Sequence, residues 1–443
     1  MDQVLHIGID DTDSMRGGCT TYVAAILVEK LSRLGSTFID YPNLIRLNPN
    51  VPWKTRGNGA VCLRVSGIGN SREVRETVID VVERESDLAS RGTDPGIVFY
   101  EGEKIPKELR EFSRVATQDI VRLSEALALI KKFKAYAIGF NEGRGIIGAL
   151  AAVGNCLMED HTYELIAYRI QKNRGKPRKI DSDSVFRMDN ETSGLTFNNV
   201  DWDSRRILIT PRGPDPILYG IRGESPGVVE NAKDIVIADE EVERWVVFRT
   251  NQGTDAHLTE MRKISEVRPF RPAVVIGAVA TKPKTITGGH VILALEDDTG
   301  KIDCAAYEPT GRFRKVVKKL VEGDVVEAYG GVRPGSSRHP VTINLEKMKI
   351  VKLVSRLVYQ SPMCPNCGKR MTSMGRSKGY RCDRCHYKDA KARRIPVETE
   401  REISLGLHMP PPRAHRHLTK PPSRYGKEKC GFQGVNYEPW HHP

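Results

Sequence analysis

Three carboxylates, Asp10, Asp11 and Asp13, stand within four positions directly after the apolar run VLHIGI, and Thr20 and Thr21 follow within ten residues. Acids at the end of a buried strand are costly unless a cation or hydrogen-bond donors meet them. Magnesium prefers carboxylate oxygens combined with substrate phosphates, so a turn that gathers these aspartates would suit it. Plain turn formation competes, because Asp-Thr-Asp-Ser is also good turn chemistry. If residues 10–13 stay extended, Asp11 and Asp13 point one way and Asp10 the other. A turn after Ile9 would bring the three around one ion. Thr20 and Thr21 open a helix, whose N-terminal N–H groups and dipole would stabilise a phosphate on a hydroxyl. On the pattern alone, Thr20 reads as an ordinary cap.

Two further stretches suit phosphate. KTRGNGA combines Lys54, Arg56, Gly57, Asn58 and Gly59 ahead of a strand. Its glycines let backbone N–H groups approach an anion that the cations neutralise. Gly143-x-Gly145-x-x-Gly148 matches the dinucleotide fingerprint in letters, but no acid on a second strand about 20 residues on completes it. Close helix packing explains those glycines equally well. The sharpest spacing is CPNCGKRMTSMGRSKGYRCDRC, in which Cys364, Cys367, Cys382 and Cys385 form two C-x2-C knuckles fourteen residues apart. Two such knuckles close a tetrahedral four-thiolate zinc site. That site is structural, since no open coordination position remains. A redox C-x-x-C needs a βαβ context that is absent there.

The surrounding patterns predict the elements that position these groups. Strand-like and helix-like periods alternate over the first ~160 residues, which points to an α/β or α+β layer. VLHIGI reads as a strand, TYVAAILVEKLSRLG as a helix, and GIIGALAAVGNCL as a small-residue helix. A second αβ region runs from about Tyr163 to Pro269, either as a domain in series or as part of one interlocked unit. From Pro272 to Lys352 five short alternating strands surround one helix, which is OB-fold order; another small β-barrel is the competing reading. Such barrels bind RNA through strands 2–3 and their loops, and His290, Tyr307, Arg312, Arg314 and Arg338 are the candidate contacts. HMPPPRAHRHLTKPPSRYGKEK predicts an extended segment without a packed core; metal ligation by His415 and His417 is the alternative, but the adjacent Arg and Lys point to phosphate contact first.

The 443 residues suggest about three domains. Net charge is +13, and the stretch from Lys352 onward holds 19 Lys+Arg against 7 Asp+Glu, or +12. A field concentrated in this way suggests a nucleic-acid partner; a basic disordered tail is the alternative. No apolar run approaches the roughly 18 residues of a membrane span. The N-terminus carries acid where a signal peptide would be basic, so the expected compartment is the cytoplasm.

Taken together, GIDDTDS…CTTYVA, IRLNPN, KTRGNGAV, GRGIIGALAA, DHTYELIAYR, TPRGPDPILYGIRGE, the OB segment, the paired knuckles and MPPPRAHRHLTKP resemble the archaeal tRNA-isoleucine 2-agmatinylcytidine synthetases, TiaS, in order and over nearly the whole chain. The resemblance implies an ATP-dependent ligase. It would attach agmatine to C2 of the wobble cytidine of the isoleucine tRNA with a CAU anticodon. It implies a multidomain α+β fold: a threonine/cytidine kinase-like α/β domain (1–160), a ferredoxin-like domain (161–269), an OB-fold (270–354), a zinc ribbon (355–395) and a basic Pro-rich tail (396–443). It makes Thr20 an autophosphorylated residue, reversing the cap reading, and Asp10, Asp11 and Asp13 the acids of the catalytic motif. ATP and magnesium would be the cofactors beside zinc. The chemistry fits: the 2-oxo group leaves poorly, phosphorylation converts it into phosphate, and Lys54 and Arg56 would hold the remaining phosphates. The wobble base must leave its stack to react. Two other classes compete: a non-enzymatic OB/zinc-ribbon RNA-binding protein, and a phosphotransferase for a small molecule. The acids beside CTT stand against the first, and the basic C-terminal half against the second.

Overall fold

Strand β1, Leu5–Asp10, shows how alternation builds the N-terminal body. Leu5, Ile7 and Ile9 join one buried core with Val23 and Leu27 of helix α1, Thr20–Arg33. His6, Gly8 and Asp10 consequently face the opposite layer. The computed structural model describes residues 4–67, 69–432 and 434–443; the N-terminal acid Asp2 lies outside them.

The sheet adds β2 (Asn43–Arg46), β3 (Gly59–Ser66), β4 (Gly96–Glu101), β5 (Tyr136–Gly139), β6 (Thr162–Arg169), β7 (Thr196–Phe197), β8 (Ile217–Gly223) and β9 (Val242–Thr250). Their order is β5-β4-β1-β3-β2-β9-β6-β8-β7. The parallel β2–β9 pairing, Asn43 opposite Arg249 and Leu44 opposite Thr250, fuses the two αβ regions into one continuous sheet. Helices Ser71–Glu85, Ser182–Glu191 and Pro226–Ile235 share the core on the α1 face. The other face is covered by Lys107–Gln118, Leu123–Lys132 and the small-residue helix Gly145–Gly154.

That last helix explains the G-x-G-x-x-G letters. A Cβ on Gly145 would run into the backbone of Gly96 and the carbonyl oxygens of Asp10 and Asp94, and one on Gly148 into the Asp10 carboxyl. The glycines let the helix lie directly on β1 and β4, the packing alternative to a dinucleotide site.

Strands β10 (Pro272–Thr285), β11 (Val291–Asp297), β12 (Gly300–Ala306), β13 (Val325–Arg333) and β14 (Thr342–Lys352) form the barrel, and helix Arg312–Lys318 follows the third strand. Parallel pairing of β12 with β14 closes it, which is the OB arrangement. Asp297 accepts from the N–H groups of Thr299 and Gly300 and so holds the predicted DDTG hairpin. The zinc ribbon stands on a two-stranded stem, β15 (Arg356–Gln360) against β16 (Ile395–Thr399).

The C-terminal segment corrects the expectation of a stretch without packing. Strand β17, Gly406–His408, pairs with β14, and the chain then returns across the body until His441–His442 pairs with β9. Leu418, Arg424 and Trp440 are buried on the way. Acids of the body draw the basic residues inward. Arg413 pairs with Asp201, Arg416 with Glu346 at 3.2 Å, Lys420 with Asp160 at 3.3 Å, and Arg424 with Asp160 and Glu224 at 2.9 and 2.7 Å. Among the described residues no helix is long and apolar enough to cross a membrane.

Candidate active site

The acidic turn begins where β1 ends. Asp11 adopts φ 59°, a left-handed conformation that aspartate tolerates, and the chain turns there as anticipated. The turn fans the carboxylates out rather than gathering them. Asp11 Oδ2 accepts from Arg144 Nη2 at 3.1 Å, and Asp13 Oδ2 accepts from Arg56 Nε at 2.9 Å. Asp10 lies beneath Gly148. The three acids thus have different neighbours, and only Asp11 and Asp13 meet an arginine. Among the described residues, the four cysteines are the group of three or more ligating residues whose donor atoms lie close enough to share one ion. Burial, reinforced by the charges of Asp11 and Asp13, raises the Asp10 carboxyl well above the ordinary range. Burial likewise raises Asp11 to about 6 despite Arg144. A divalent cation would have to turn these carboxylates in from their present neighbours, and its charge would then lower both pKa values.

Thr20 is not a cap. Cys19 holds the N-cap position without a side-chain bond, and Thr20 is the first helical residue. Its Oγ1 lies 3.0 Å from Thr12 Oγ1 at the edge of a cleft. The hydroxyl is free of the role that the local pattern favoured.

The KTRGNGA loop packs alongside. Arg56 ties it to the acidic turn through Asp13, through the Gly18 carbonyl at 2.6 Å, and through Asp215 at 3.4 Å. Lys54 donates to the carbonyls of Pro49 and Val51, and burial lowers its pKa. Asn58 donates to the Asn48 carbonyl at 2.9 Å. Gly57 and Gly59 lie against the Arg46 guanidinium, where a side chain would intrude.

Two adjoining clefts result. The first brings Asp10, Asp11, Asp13, Lys54, Gly57, Asn58, Gly59 and Arg144 together under an apolar wall of Leu47, Val51, Trp53, Ile120, Val121 and Ile147. A flat ring and its phosphates match that division. The second gathers Thr20, Arg46, Arg56, Glu164, Asp215, Arg222 and His417, and both clefts include Asp13, Gly57 and Gly59.

Sequence reasoning passed over Arg46, Arg144, Glu164, Asp215, Arg222 and Gln252. A usable signal was present for Glu164, an acid inside the apolar strand TYELIAYR, where every residue is buried. His417 was expected on an extended phosphate-directed tail; it lines the second cleft at its exposed rim. His415 bonds to Asn198 and the Pro410 carbonyl instead of a phosphate-facing surface.

On the barrel, His290 and Tyr307 form an edge-on ring pair 5.2 Å apart, and Arg338 is exposed. Arg312 reaches across to Asp203 at 2.5 Å, and Arg314 folds back on Gly289 and Glu308, so both lie engaged within the chain. In the ribbon, Cys364, Cys367, Cys382 and Cys385 bring their sulfurs within 4.8 Å of one another. The Arg384 N–H donates to Cys382 Sγ at 3.4 Å, the knuckle contact that favours thiolate. This donor set fits structural zinc.

A phosphate-directed α/β body joined to an OB barrel and a four-cysteine ribbon defines a multidomain α+β protein built to act on nucleic acid. Family models agree segment by segment: "TiaS TCKD domain" over residues 6–76, "TiaS FLD domain" over 143–257, "OB-fold nucleic acid binding domain" over 273–351 and "TiaS C-terminal zinc ribbon domain" over 361–403. The isoleucine-tRNA 2-agmatinylcytidine synthetase TiaS of Pyrococcus horikoshii is 45% identical over 94% of this chain and 96% of its own length. A crystal structure of TiaS in complex with its isoleucine tRNA and ATP superimposes with a TM-score of 0.84 at 42% identity, covering 94% of this chain and 96% of that one. A complex of TiaS with the same tRNA, AMPCPP and agmatine gives 0.82 at 39%, with the same coverage. The chain belongs to the TiaS family.

Proposed function

We propose that this protein is an ATP-dependent ligase that attaches agmatine to C2 of the wobble cytidine of the CAU-anticodon isoleucine tRNA. The observation that carries the reading is the pair of adjoining clefts, one acidic and phosphate-directed with an apolar wall, the other holding Thr20. Family membership over nearly the full chain supports the same substrates, and the relatives' complexes contain ATP, tRNA and agmatine or an ATP analogue.

In this reading the first cleft takes the nucleotide. The apolar wall around Trp53 receives a ring, while Lys54 and the backbone of Gly57, Asn58 and Gly59 meet its phosphates. Asp10, Asp11 and Asp13 would hold magnesium, which supplies charge neutralisation at the transferring phosphoryl group. Arg56, which donates to Asp13 beside the same cleft, would be near enough to meet the phosphates. Thr20 at the edge of the second cleft is placed to take a phosphoryl group. The OB barrel and ribbon grip the tRNA, and the flipped cytidine enters between the clefts. Phosphorylation of its 2-oxo group creates the leaving group that the amine displaces. The site of action is the cytoplasm, where mature tRNA and ATP meet.

Mass spectrometry of the isoleucine tRNA after incubation with ATP and agmatine tests this. The expected result is a mass gain of one agmatine less one water on the wobble nucleotide. Tight tRNA binding without that gain would favour the non-enzymatic RNA-binding alternative.

A further inference from the structure

The second cleft contains a hydrogen-bond chain that sets the protonation of one imidazole. His417 Nδ1 lies 2.9 Å from Gln252 Oε1 and 3.2 Å from Arg222 Nη2. Gln252 is wholly buried, and its Nε2 donates to Glu164 Oε2. Gln252 spends its amide nitrogen on Glu164 and so turns its carbonyl oxygen toward His417. That oxygen only accepts, so the imidazole proton sits on Nδ1. Arg222 Nη2 can only donate and lies farther from the same nitrogen, at 3.2 Å, so the shorter Gln252 contact decides the tautomer, while Arg222 Nε donates to Glu164 at 3.0 Å. The Nε2 lone pair is therefore left open, on the side where the ring borders Gly57. Among the described residues none donates to it.

Resting on the ligase reading above, we propose that His417 Nε2 accepts the proton released when the amine attacks C2 of the activated cytidine. Gln252 and Glu164 are positioning residues that hold the ring in the required tautomer. The amine arrives with its lone pair free and two hydrogens on nitrogen. The C2–N bond forms as the C2–O bond breaks, and that electron pair leaves with phosphate. One nitrogen hydrogen passes as a proton to Nε2, and the other stays on the new C2–N bond. The charge of Arg46, with that of Arg222, lowers the imidazole's pKa and favours the neutral ring, which is exposed at the cleft rim. Glu164 opposes them from the same side, and Arg56 borders the cleft. Phosphate arriving between the arginines offsets their field, so basicity rises when the substrate is in place.

The test compares wild type with His417→Asn in the full-length, zinc-loaded chain. The asparagine amide can still reach Gln252 but has nothing at the Nε2 position. Agmatine addition should fall by about 100-fold or more, while ATP consumption with tRNA and tRNA affinity stay within about threefold. Added imidazole should restore part of the lost rate, and a less basic primary amine should show a smaller deficit. Gln252→Met, which removes the tautomer lock, should slow addition about tenfold through the same step. Agmatine addition by His417→Asn at the wild-type rate would overturn the proposal. So would equal losses of tRNA binding, ATP consumption and addition without imidazole rescue, which would mark a displaced tail. A wild-type enzyme that adds no agmatine would refute the ligase reading itself, a result separate from any variant.

Discussion

Replacing Arg424 with methionine probes the return of the C-terminal segment over the body. The guanidinium is fully buried. Its Nε donates to Glu224 Oε1 at 2.7 Å, Nη2 to Asp160 Oδ1 at 2.9 Å, and Nη1 to the Gly253 carbonyl at 2.6 Å. Methionine keeps most of the volume but leaves two acids and a carbonyl short of a donor. Removing one partner of a buried ion pair costs about 3–5 kcal/mol. Lys420 and Lys429 remain beside Asp160 and Glu224, which places the ionic loss at the lower end. An unmatched carbonyl adds about 1 kcal/mol, for a total of about 4 kcal/mol. At about 2 °C per kcal/mol for a body of this size, the melting temperature should fall by about 8 °C.

The pH dependence has a definite sign. Burial alone would raise the Asp160 carboxyl, but Arg424 wins and its pKa is depressed. The stabilisation from this pairing is therefore present above the unfolded pKa of about 3.9 and lost as pH falls through the lower folded value. The gap between wild type and Arg424→Met should be full at neutral pH and narrow on strong acidification. Scanning calorimetry measures the gap, and trypsin nicking at Lys427 and Lys429 reports whether the segment has loosened. A neutral-pH melt within about 2 °C of wild type, with unchanged nicking, would refute the assignment of Arg424 as the clamp.

Asp11→Asn should abolish ATP turnover while leaving tRNA affinity within about threefold, because Asp11 lies in the nucleotide cleft and far along the chain from the barrel; normal turnover would remove it from the magnesium set. Thr20→Ala should eliminate phosphoprotein formed with γ-labelled ATP, and label retained elsewhere would reassign the acceptor. Replacing residues 361–394 by a short Gly-Ser linker across the β15–β16 stem should leave the body's melt unchanged and lower the salt slope of tRNA binding, since that segment carries ten Lys+Arg against two Asp+Glu; an unchanged slope would exclude the ribbon from phosphate contact. Chelation of zinc should unfold the ribbon, whose small cluster of Cys364, Met371, Tyr380 and Cys382 is separate from the other cores, and protection of that segment from proteolysis would count against a structural metal.

The parts legible in the sequence were those whose physics is local. Two C-x2-C knuckles need nothing distant to converge, and the OB strands advertise themselves by alternation and by the Asp297 turn. The turn at Asp11 was also local, but the direction of each carboxylate was not. Arg144 and Arg56 decide it from 133 and 43 residues away. The same limit hid the second cleft, where Glu164, Gln252 and His417 meet from three remote segments. The tail exposes the limit most clearly. A count of cations cannot distinguish those aimed at an RNA phosphate from those aimed at the chain's own acids, and Asp160, Asp201 and Glu224 lie roughly 200 residues or more before their partners. Once those pairs are subtracted, the unspent positive charge shifts toward the ribbon. The tail then acts by geometry: it pairs with both the barrel and the body and brings His417 to the second cleft.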